Sequence, residues 1–187
     1  HRTRVHFEHS TSPSRRPPEW DTIAQSRGFD CIEEPRRLDF VGFAPDGRPM
    51  FMATAAAVAW RSMQTSARVE GIMLESISTF RSIAHQRALV ERKLARGDAV
   101  DQVFSVNAVP GYSEHHSGRA IDIGTPGCPA LDEAFENTPA FAWLQRHAER
   151  FGFRLVHYAI LNDHLHFVVE AVDRAARCSR IATTIAP

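Results

Sequence analysis

The chain has 187 residues, which is enough for one domain with a substantial core and too few to argue for two. Lysine plus arginine equals aspartate plus glutamate at 22 each, so no overall charge directs the protein to nucleic acid or to an anionic membrane. No apolar run approaches the roughly 20 residues of a membrane-spanning helix, so we expect no span in this chain.

The first 37 residues predict an N-terminal arm. Arginine, serine and proline dominate its beginning, "HRTRVHFEHSTSPSRRPPE", and apolar residues are scattered. Segments of this composition bury too little apolar area to fold alone, so we expect the arm to be partly flexible or wrapped over a surface. The main domain is therefore predicted to cover residues 38–187.

Residues 38–112 predict a hairpin, a helix, a strand and a second helix. Strand-forming runs flank the turn signal Pro45-Asp46-Gly47, and the alanine-rich segment 53–68 is helical by composition. Residues 71–80 predict a strand that enters the core, and residues 81–97 predict a helix that ends near a glycine. The segment 98–112 has little periodicity, and we expect a loop there.

The last third predicts one helix and an antiparallel strand pair. Thr138 precedes Pro139 as an N-cap before a first-turn proline. An apolar stripe then follows at helical spacing: Phe141, Leu144, Ala148 and Phe151. Beyond it, "FRLVHYAIL" and "HLHFVVE" predict strands on either side of a turn at Asn162-Asp163. The order of elements predicts an α+β fold in which helices pack on one side of a small antiparallel sheet.

The stretch "GYSEHHSGRAIDIG", residues 111–124, is the first candidate for chemistry. Strand alternation in "RAIDI" separates Asp122 from the two isoleucines, so the carboxylate is expected on the face that does not pack into the core. Gly118 would let the chain turn back so that His115 and Asp122 converge. If the segment is extended, His116 faces away from His115, and we expect it to tolerate substitution.

The second candidate is the strand "HLHFVVE", where alternation places His164 and His166 on one face. A hydrolytic zinc site uses about three protein ligands, drawn from histidine and carboxylate, with one position open for water. His115, Asp122 and one histidine of the strand pair meet that requirement. The remaining histidine, or Asp163 beside it, could then accept a proton from water.

Each of these residues also has an ordinary structural interpretation. A single histidine in a Ser-Glu-His-His loop is more often solvated than a ligand, and two histidines spaced one residue apart on a strand are a weaker motif than HExxH. Structural zinc normally uses cysteine, and none of the three cysteines, which are Cys31, Cys128 and Cys178, lies near the histidines in sequence. The joint pattern favours a metal site, because strand-mounted polar residues flanked by isoleucine, glycine and phenylalanine are unusual for a solvated face.

These motifs resemble the VanY-type zinc D-alanyl-D-alanine carboxypeptidases. "SEHHSGRAID" matches the SxHxxGxAxD signature of that family at every specified position, which are Ser113, His115, Gly118, Ala120 and Asp122. The similarity extends through "ISTFRS" and "AFAWLQRHAERFGFRL", and covers residues 71–170. The broader group includes zinc peptidases related to hedgehog and lysostaphin domains.

The resemblance implies that Zn²⁺ is bound by His115, Asp122 and His166. It also implies that Arg81 holds the substrate carboxylate or the polarised carbonyl, with Ser113 as a hydrogen-bonding partner. The family has Glu-x-x-His at its last motif, with the glutamate as general base. Here Asp163 takes the place of that glutamate with a shorter side chain, and the broader group also contains members in which the first histidine of an HxH assists catalysis. Asp163 and His164 are therefore both candidates for the base.

The activity that the resemblance implies is cleavage at the D-Ala-D-Ala end of a peptidoglycan stem peptide, in the periplasm or cell envelope. Two alternatives remain: an endopeptidase of the same fold that cuts an L-Ala-D-Glu bond or a cross-bridge, and a zinc-containing binding module without turnover. The expected partner is the stem peptide and not nucleic acid. The oligomeric state is not predicted.

Overall fold

The computed structural model describes residues 4–5, 17–160 and 164–171, and describes side chains for residues 17–156. The predicted α+β class is confirmed. Helices in the described part of the chain are α1 (Pro18–Ser26), α2 (Thr54–Val69), α3 (Ile83–Ala95), α4 (Val100–Val106) and α5 (Pro139–His147), and 3₁₀ turns cover Glu114–Ser117, Glu133–Asn137 and Ala148–Phe151. Strands are β1 (Arg4–Val5), β2 (Leu38–Phe43), β3 (Pro49–Ala53), β4 (Glu75–Ser78), β5 (Ala120–Gly124), β6 (Phe153–Ile160) and β7 (His164–Ala171).

These strands form two antiparallel sheets. The first has the order β1-β2-β3 and the second the order β4-β5-β7-β6. The predicted hairpin is the β2–β3 pair, and its turn at Gly47 has a φ of 83°, a conformation that glycine adopts without strain. The predicted C-terminal strand pair is β6 and β7, which are in register along their whole length. The central strand β5 is thus flanked by β4 on one side and β7 on the other.

The main core lies between α2, α5 and the strands. Ala56, Trp60 and Met63 recur on one face of α2 and are almost completely buried, as the spacing of a helix against a sheet requires. Trp143 and Leu144 contribute from α5, which begins as predicted: the Thr138 hydroxyl accepts from the Phe141 N–H. This core fixes the isoleucine face of β5.

A second, smaller core joins α1 to α3 and α4. Trp20 of α1 is 5% exposed and packs edge-on against Phe104 of α4, with ring centroids 5.5 Å apart. Val90 of α3 and Val103 of α4 complete the contact. A helix from the predicted N-terminal arm therefore packs against the helices that follow β4.

The prediction of a loop over residues 98–112 is wrong, because α4 occupies residues 100–106. The helix has seven residues, too short to show an amphipathic period. Its buried pair, Val103 and Phe104, is stabilised by Trp20, which lies more than 80 positions earlier in the chain. Sequence-local reasoning could not find a helix that depends on so distant a partner.

In the part of the chain that the structure describes, no helix combines the length and the apolar character needed to cross a bilayer.

Substitution of Trp20 tests whether this N-terminal helix is part of the folded domain. Trp20→Ala should lower the free energy of unfolding by about 3–5 kcal/mol, because it leaves a cavity between α1, α3 and α4. Urea unfolding measures the change. Phe29→Ala, at a residue 42% exposed, is the control and should change stability by less than about 1 kcal/mol. Equal, small effects of both substitutions would show that the helix contributes nothing to the domain's stability.

Candidate functional site

The loop between α4 and β5 brings His115 and Asp122 together through a tight turn at Gly118. This glycine ends the 3₁₀ turn Glu114–Ser117 and has a φ of 65°. A Cβ at this position would lie 3.0 Å from the backbone nitrogen of Ala53 and 3.1 Å from a methyl carbon of Leu38. Glycine is therefore required by conformation and by space, and the predicted reversal of the chain at this residue is confirmed.

His115 and Asp122 form a buried pair at the end of this turn. They are 6% and 1% exposed, and Nε2 of the histidine lies 3.4 Å from Oδ2 of the aspartate. On the other side of the ring, Nδ1 lies 2.6 Å from the Thr79 carbonyl oxygen, which can only accept a hydrogen bond. Nδ1 therefore carries a proton, and a neutral ring presents the lone pair of Nε2 to the carboxylate.

Two lone pairs facing each other need a positive charge between them. Burial by itself lowers the pKa of His115, but the charge of Asp122 and the hydrogen bond to that carboxylate outweigh it, so the pKa is raised. The other carboxylate oxygen, Oδ1, is buried and has no hydrogen-bond partner among the described residues. A buried carboxylate oxygen without a donor is costly, unless a cation satisfies it.

The geometry of the pair fits a zinc ion. Two ligand atoms at about 2.0–2.1 Å from a tetrahedral zinc are roughly 3.3 Å apart, close to the 3.4 Å between Nε2 of His115 and Oδ2 of Asp122. Histidine nitrogen and carboxylate oxygen are ligands that zinc accepts. The Nδ1 bond to Thr79 is the kind of outer contact that fixes the ring of a ligating histidine. These two side chains could thus hold part of a zinc site.

The strand β5 carries Asp122 between two residues that bury in the core. Ile121 and Ile123 are 0% and 3% exposed and belong to the main core. Alternation then turns Asp122 to the other face, as predicted, where it pairs in register with Ser78 of β4 and Val168 of β7. The position of the carboxylate therefore follows from the packing of its two neighbours.

Arg81 lies immediately beyond the end of β4, beside the pair. Its N–H donates to the His115 carbonyl at 3.2 Å, and its guanidinium contacts the Gln86 amide oxygen at 3.0 Å and the Ser78 hydroxyl at 3.4 Å. Among residues with described side chains, no carboxylate lies within ion-pair distance of the guanidinium. Burial lowers the pKa of Arg81, but it remains a cation under ordinary conditions. The site therefore holds a positive charge without a bonded counter-ion in the described region.

Ser113 also belongs to this loop and is 3% exposed. It immediately precedes the 3₁₀ turn, and its carbonyl accepts from the His116 N–H at 2.9 Å. The predicted partnership of its hydroxyl with the substrate or with Arg81 stays a prediction.

The expectation that His116 tolerates substitution rested on an extended segment, and that premise is wrong. The segment is a 3₁₀ turn, and His116 is 0% exposed. Nε2 accepts from the Gly111 N–H at 3.1 Å, and Nδ1 lies 2.6 Å from the Arg81 carbonyl oxygen. His116 is therefore bonded into the site's framework.

The last predicted group falls on residues whose side chains are not described. Asp163 lies outside the described residues, and His164 and His166 are described as backbone positions of β7. The backbone register pairs position 168 with Asp122 and position 166 with Tyr158 of β6. Because alternate positions of a strand share a face, position 166 belongs to the sheet face of Asp122. Within the described side chains, no group of three potential metal ligands occurs.

Sequence reasoning missed Thr79, Gln86 and His116 as parts of the site. Gln86 could have been found from the sequence. It lies three residues after Ile83 and four before Val90, so it shares the apolar face of α3, where an apolar residue is expected. A buried glutamine at such a position needs polar partners. Thr79 acts through its backbone carbonyl and gives no signal in the sequence.

A family model described as VanY D-alanyl-D-alanine carboxypeptidase matches residues 50–170. The putative carboxypeptidase YodJ of Bacillus subtilis (strain 168) is 31% identical over 105 residues, which are 55% of this chain and 38% of YodJ. The chain thus spans well under half the length of this curated relative.

Two solved structures share the fold. The LdcB LD-carboxypeptidase matches with a TM-score of 0.64 and 26% identity, covering 77% of this chain and 72% of LdcB. VanYB in complex with D-alanine-D-alanine matches with a TM-score of 0.52 and 21% identity, covering 78% of this chain and 81% of VanYB. The second likeness shows the fold alone.

Substitution of Gly118 tests the turn that brings the pair together. Gly118→Ala should lower the free energy of unfolding by about 1–3 kcal/mol, because the new methyl group meets the Ala53 backbone in a left-handed conformation. Gly127→Ala is the matched control: its φ is also positive, but no atom lies within 4 Å of the added Cβ, so the cost should be smaller. Urea unfolding of both variants measures the two losses in the free energy of unfolding. Equal losses would show that the close approach to Ala53 does not contribute.

Proposed function

The chain belongs to the VanY D-alanyl-D-alanine carboxypeptidase family, and from that membership we propose that it is a zinc peptidase that removes the C-terminal D-alanine of peptidoglycan stem peptides. The observation that carries the proposal is the buried His115–Asp122 pair, with an unsatisfied carboxylate oxygen, beside a guanidinium that forms no direct ion pair with a described carboxylate. The first feature suits a cation and the second suits a substrate carboxylate.

The proposed zinc ligands are His115, Asp122 and His166. The family resemblance supports the set, and the separation between the first two supports their part in it. The β5–β7 register supports the third, since position 166 is two residues from the position that pairs with Asp122. Zinc in such a site supplies a Lewis acid that activates water and polarises a carbonyl group.

Arg81 is the proposed group for the substrate's free carboxylate. A guanidinium can donate two parallel hydrogen bonds to a carboxylate, and the interaction is stronger where water is excluded. Gln86 is neutral, so it orients the guanidinium at 3.0 Å without cancelling its charge. This charge favours cleavage at the end of a peptide over cleavage within it, because only the terminal residue carries a free carboxylate.

The general base is proposed to be Asp163 or His164. The base accepts a proton from the attacking water and returns it to the leaving amine. Asp163 takes the place of the family glutamate with one methylene less, and His164 is one residue nearer to the ligand position.

A second candidate activity is removal of a D-residue from an L,D bond. The likeness to the LdcB LD-carboxypeptidase, with 26% identity over most of both chains, favours it. Both activities would use the free carboxylate of the substrate and the same proposed zinc ion. They differ in the configuration, D or L, of the residue before the scissile bond. The endopeptidase alternative requires no free carboxylate near Arg81. The proposed partner in each case is the stem peptide, at an extracytoplasmic location where peptidoglycan lies.

Hydrolysis of defined stem peptides by the zinc-loaded protein tests the proposal. We expect release of D-alanine from a pentapeptide ending in D-Ala-D-Ala, and loss of at least about 99% of the rate when a chelator removes zinc. A tetrapeptide ending in an L,D bond and a pentapeptide with a C-terminal amide are compared in the same assay. Faster cleavage of the tetrapeptide would move the assignment to L,D activity.

Two other outcomes would overturn the proposal. Cleavage of the amidated peptide at the rate of the free acid would favour an endopeptidase. Stoichiometric zinc with no cleavage of any stem peptide would leave a zinc-containing binding module.

Single substitutions should separate metal ligands from the base. His115→Ala should lose most of the zinc, whereas Asp163→Asn and His164→Gln should keep it, and the true base should lose about 100-fold or more in kcat. Metal analysis and steady-state kinetics on the same preparations measure both effects. His147→Ala is the control, since this histidine packs against Trp143 outside the site. Stoichiometric zinc in His115→Ala would show that the ligand assignment is wrong.

A further inference from the structure

We infer that His116 is a positioning residue that fixes Arg81 relative to the metal-ligand loop, and so sets the affinity for the substrate carboxylate. This inference rests on the proposed function for the role of Arg81. It does not rest on the identity of the general base or on the residue before the scissile bond.

The hydrogen bonds of His116 define its tautomer. The Gly111 N–H can only donate, so Nε2 accepts at 3.1 Å and carries no proton. The Arg81 carbonyl can only accept, so Nδ1 donates to it at 2.6 Å. A neutral imidazole meets both needs at once, and complete burial of the side chain makes the loss of either bond costly.

The His116 imidazole supplies one of three hydrogen bonds that join residues 79–81 to residues 115–116, and these three bonds form a ladder between the two segments. Nδ1 of His115 donates to the Thr79 carbonyl, the Arg81 N–H donates to the His115 carbonyl, and Nδ1 of His116 donates to the Arg81 carbonyl. In a continuing strand, a backbone N–H would supply the last of these bonds. Here the chain has already turned toward Gly118, and a side chain takes the place of the backbone donor.

Arg81 is thus held at both ends. Its backbone N–H and carbonyl are bonded to His115 and His116, while its guanidinium is bonded to the Gln86 amide oxygen at 3.0 Å. The amide nitrogen of Gln86 donates to the Ala108 carbonyl at 2.8 Å, so this amide has one possible orientation. Gln86 fixes the head of the arginine, and His116 fixes the peptide from which the side chain extends.

The position of the peptide matters because the arginine side chain is long. A small rotation at the backbone displaces the guanidinium by much more, and a misplacement of about 1 Å in a substrate-holding group can cost about 100-fold. If Arg81 holds a carboxylate that is present throughout the reaction, its displacement weakens substrate and transition state alike. The expected consequence is a higher KM with little change in kcat.

Three variants of His116 separate the hydrogen bonds to Gly111 and Arg81. Asn places a donor near the position of Nδ1 and keeps the bond to Arg81, Gln places an acceptor near Nε2 and keeps the bond to Gly111, and Leu keeps neither. In the zinc-loaded protein, we expect KM for the pentapeptide to rise about tenfold in His116→Gln, with kcat and zinc affinity within about threefold. His116→Asn should remain within about threefold of the wild type in KM.

Two NMR measurements test the positioning of Arg81 by His116 without an activity assay. Nitrogen-15 NMR of the zinc-loaded wild type should show the His116 proton on Nδ1. The Arg81 Nη1–H signal, from the nitrogen that donates to the Gln86 amide oxygen, should be slow to exchange with solvent in the wild type and in His116→Asn, and should exchange faster in His116→Gln and His116→Leu. His85→Asn, at an exposed histidine of α3, is the control and should change none of these quantities.

The outcomes distinguish this inference from the proposed function. If the zinc-loaded wild type cleaves no peptide, the proposed function fails, and the tautomer and the Arg81 signal still test the positioning. A proton on Nε2, an Arg81 signal that is unchanged in His116→Leu, or equal KM values for His116→Asn and His116→Gln would overturn the inference. A fall in kcat or zinc affinity without a rise in KM would also overturn it, because that pattern belongs to a general disturbance of the metal loop.

Discussion

The hydrogen-bonded ladder between residues 79–81 and His115–His116 is the constraint on which the site depends. Strands β4 and β5 are antiparallel, so the last residues of β4 lie beside the first residues of β5 at one end of the sheet. The segments that continue from these two ends remain side by side and exchange three hydrogen bonds. Arg81 and the buried histidine–aspartate pair are therefore held in their relative positions by one backbone hydrogen bond and by two bonds from imidazole N–H groups to backbone carbonyls.

The first sheet supports this ladder from outside. The Phe51 N–H donates to the Thr79 hydroxyl, and the Phe51 carbonyl accepts from the Phe80 N–H. Two residues later, the Ala53 N–H donates to the Gly118 carbonyl at 2.8 Å. The strand β3 thus fixes both segments of the ladder, and β3 is itself held by the core under α2. Packing at Trp60 and its neighbours is in this way connected to the geometry of His115 and Asp122, the proposed ligands.

Charge is concentrated in this region at a cost to stability. A buried carboxylate oxygen without a donor and a partly buried guanidinium without a bonded counter-ion each lower the free energy of unfolding relative to satisfied groups. Gln86, a neutral side chain, bonds the guanidinium of Arg81, and His116 bonds the Arg81 carbonyl, so these hydrogen bonds leave the positive charge in place. Such an arrangement keeps the proposed zinc ligands and the proposed carboxylate-binding group close together, as the proposed cleavage beside a terminal carboxylate requires.

The elements with local sequence signals were predictable, and so was the resemblance to the family that the motifs carry. Alternation in "RAIDI" separated Asp122 from the isoleucines, and the turn at Gly118 followed from a glycine between two candidate ligands. The hairpin, α2, α3 and α5 were also predictable, because turn residues, helical spacing and caps lie within a few positions of each other. These are properties that nearest neighbours in the chain decide.

The remaining features depend on contacts between segments that are distant in the chain. Helix α4 packs against Trp20, which is distant in the chain. The burial of His116 depends on a 3₁₀ turn that a segment of Ser, Glu and His does not predict. The carbonyl of Thr79 became a partner of His115 because strand pairing brought positions 36 residues apart into contact. Every residue carries a backbone carbonyl, so the sequence of one segment does not show which carbonyl will orient a given histidine; the packing of distant segments decides it.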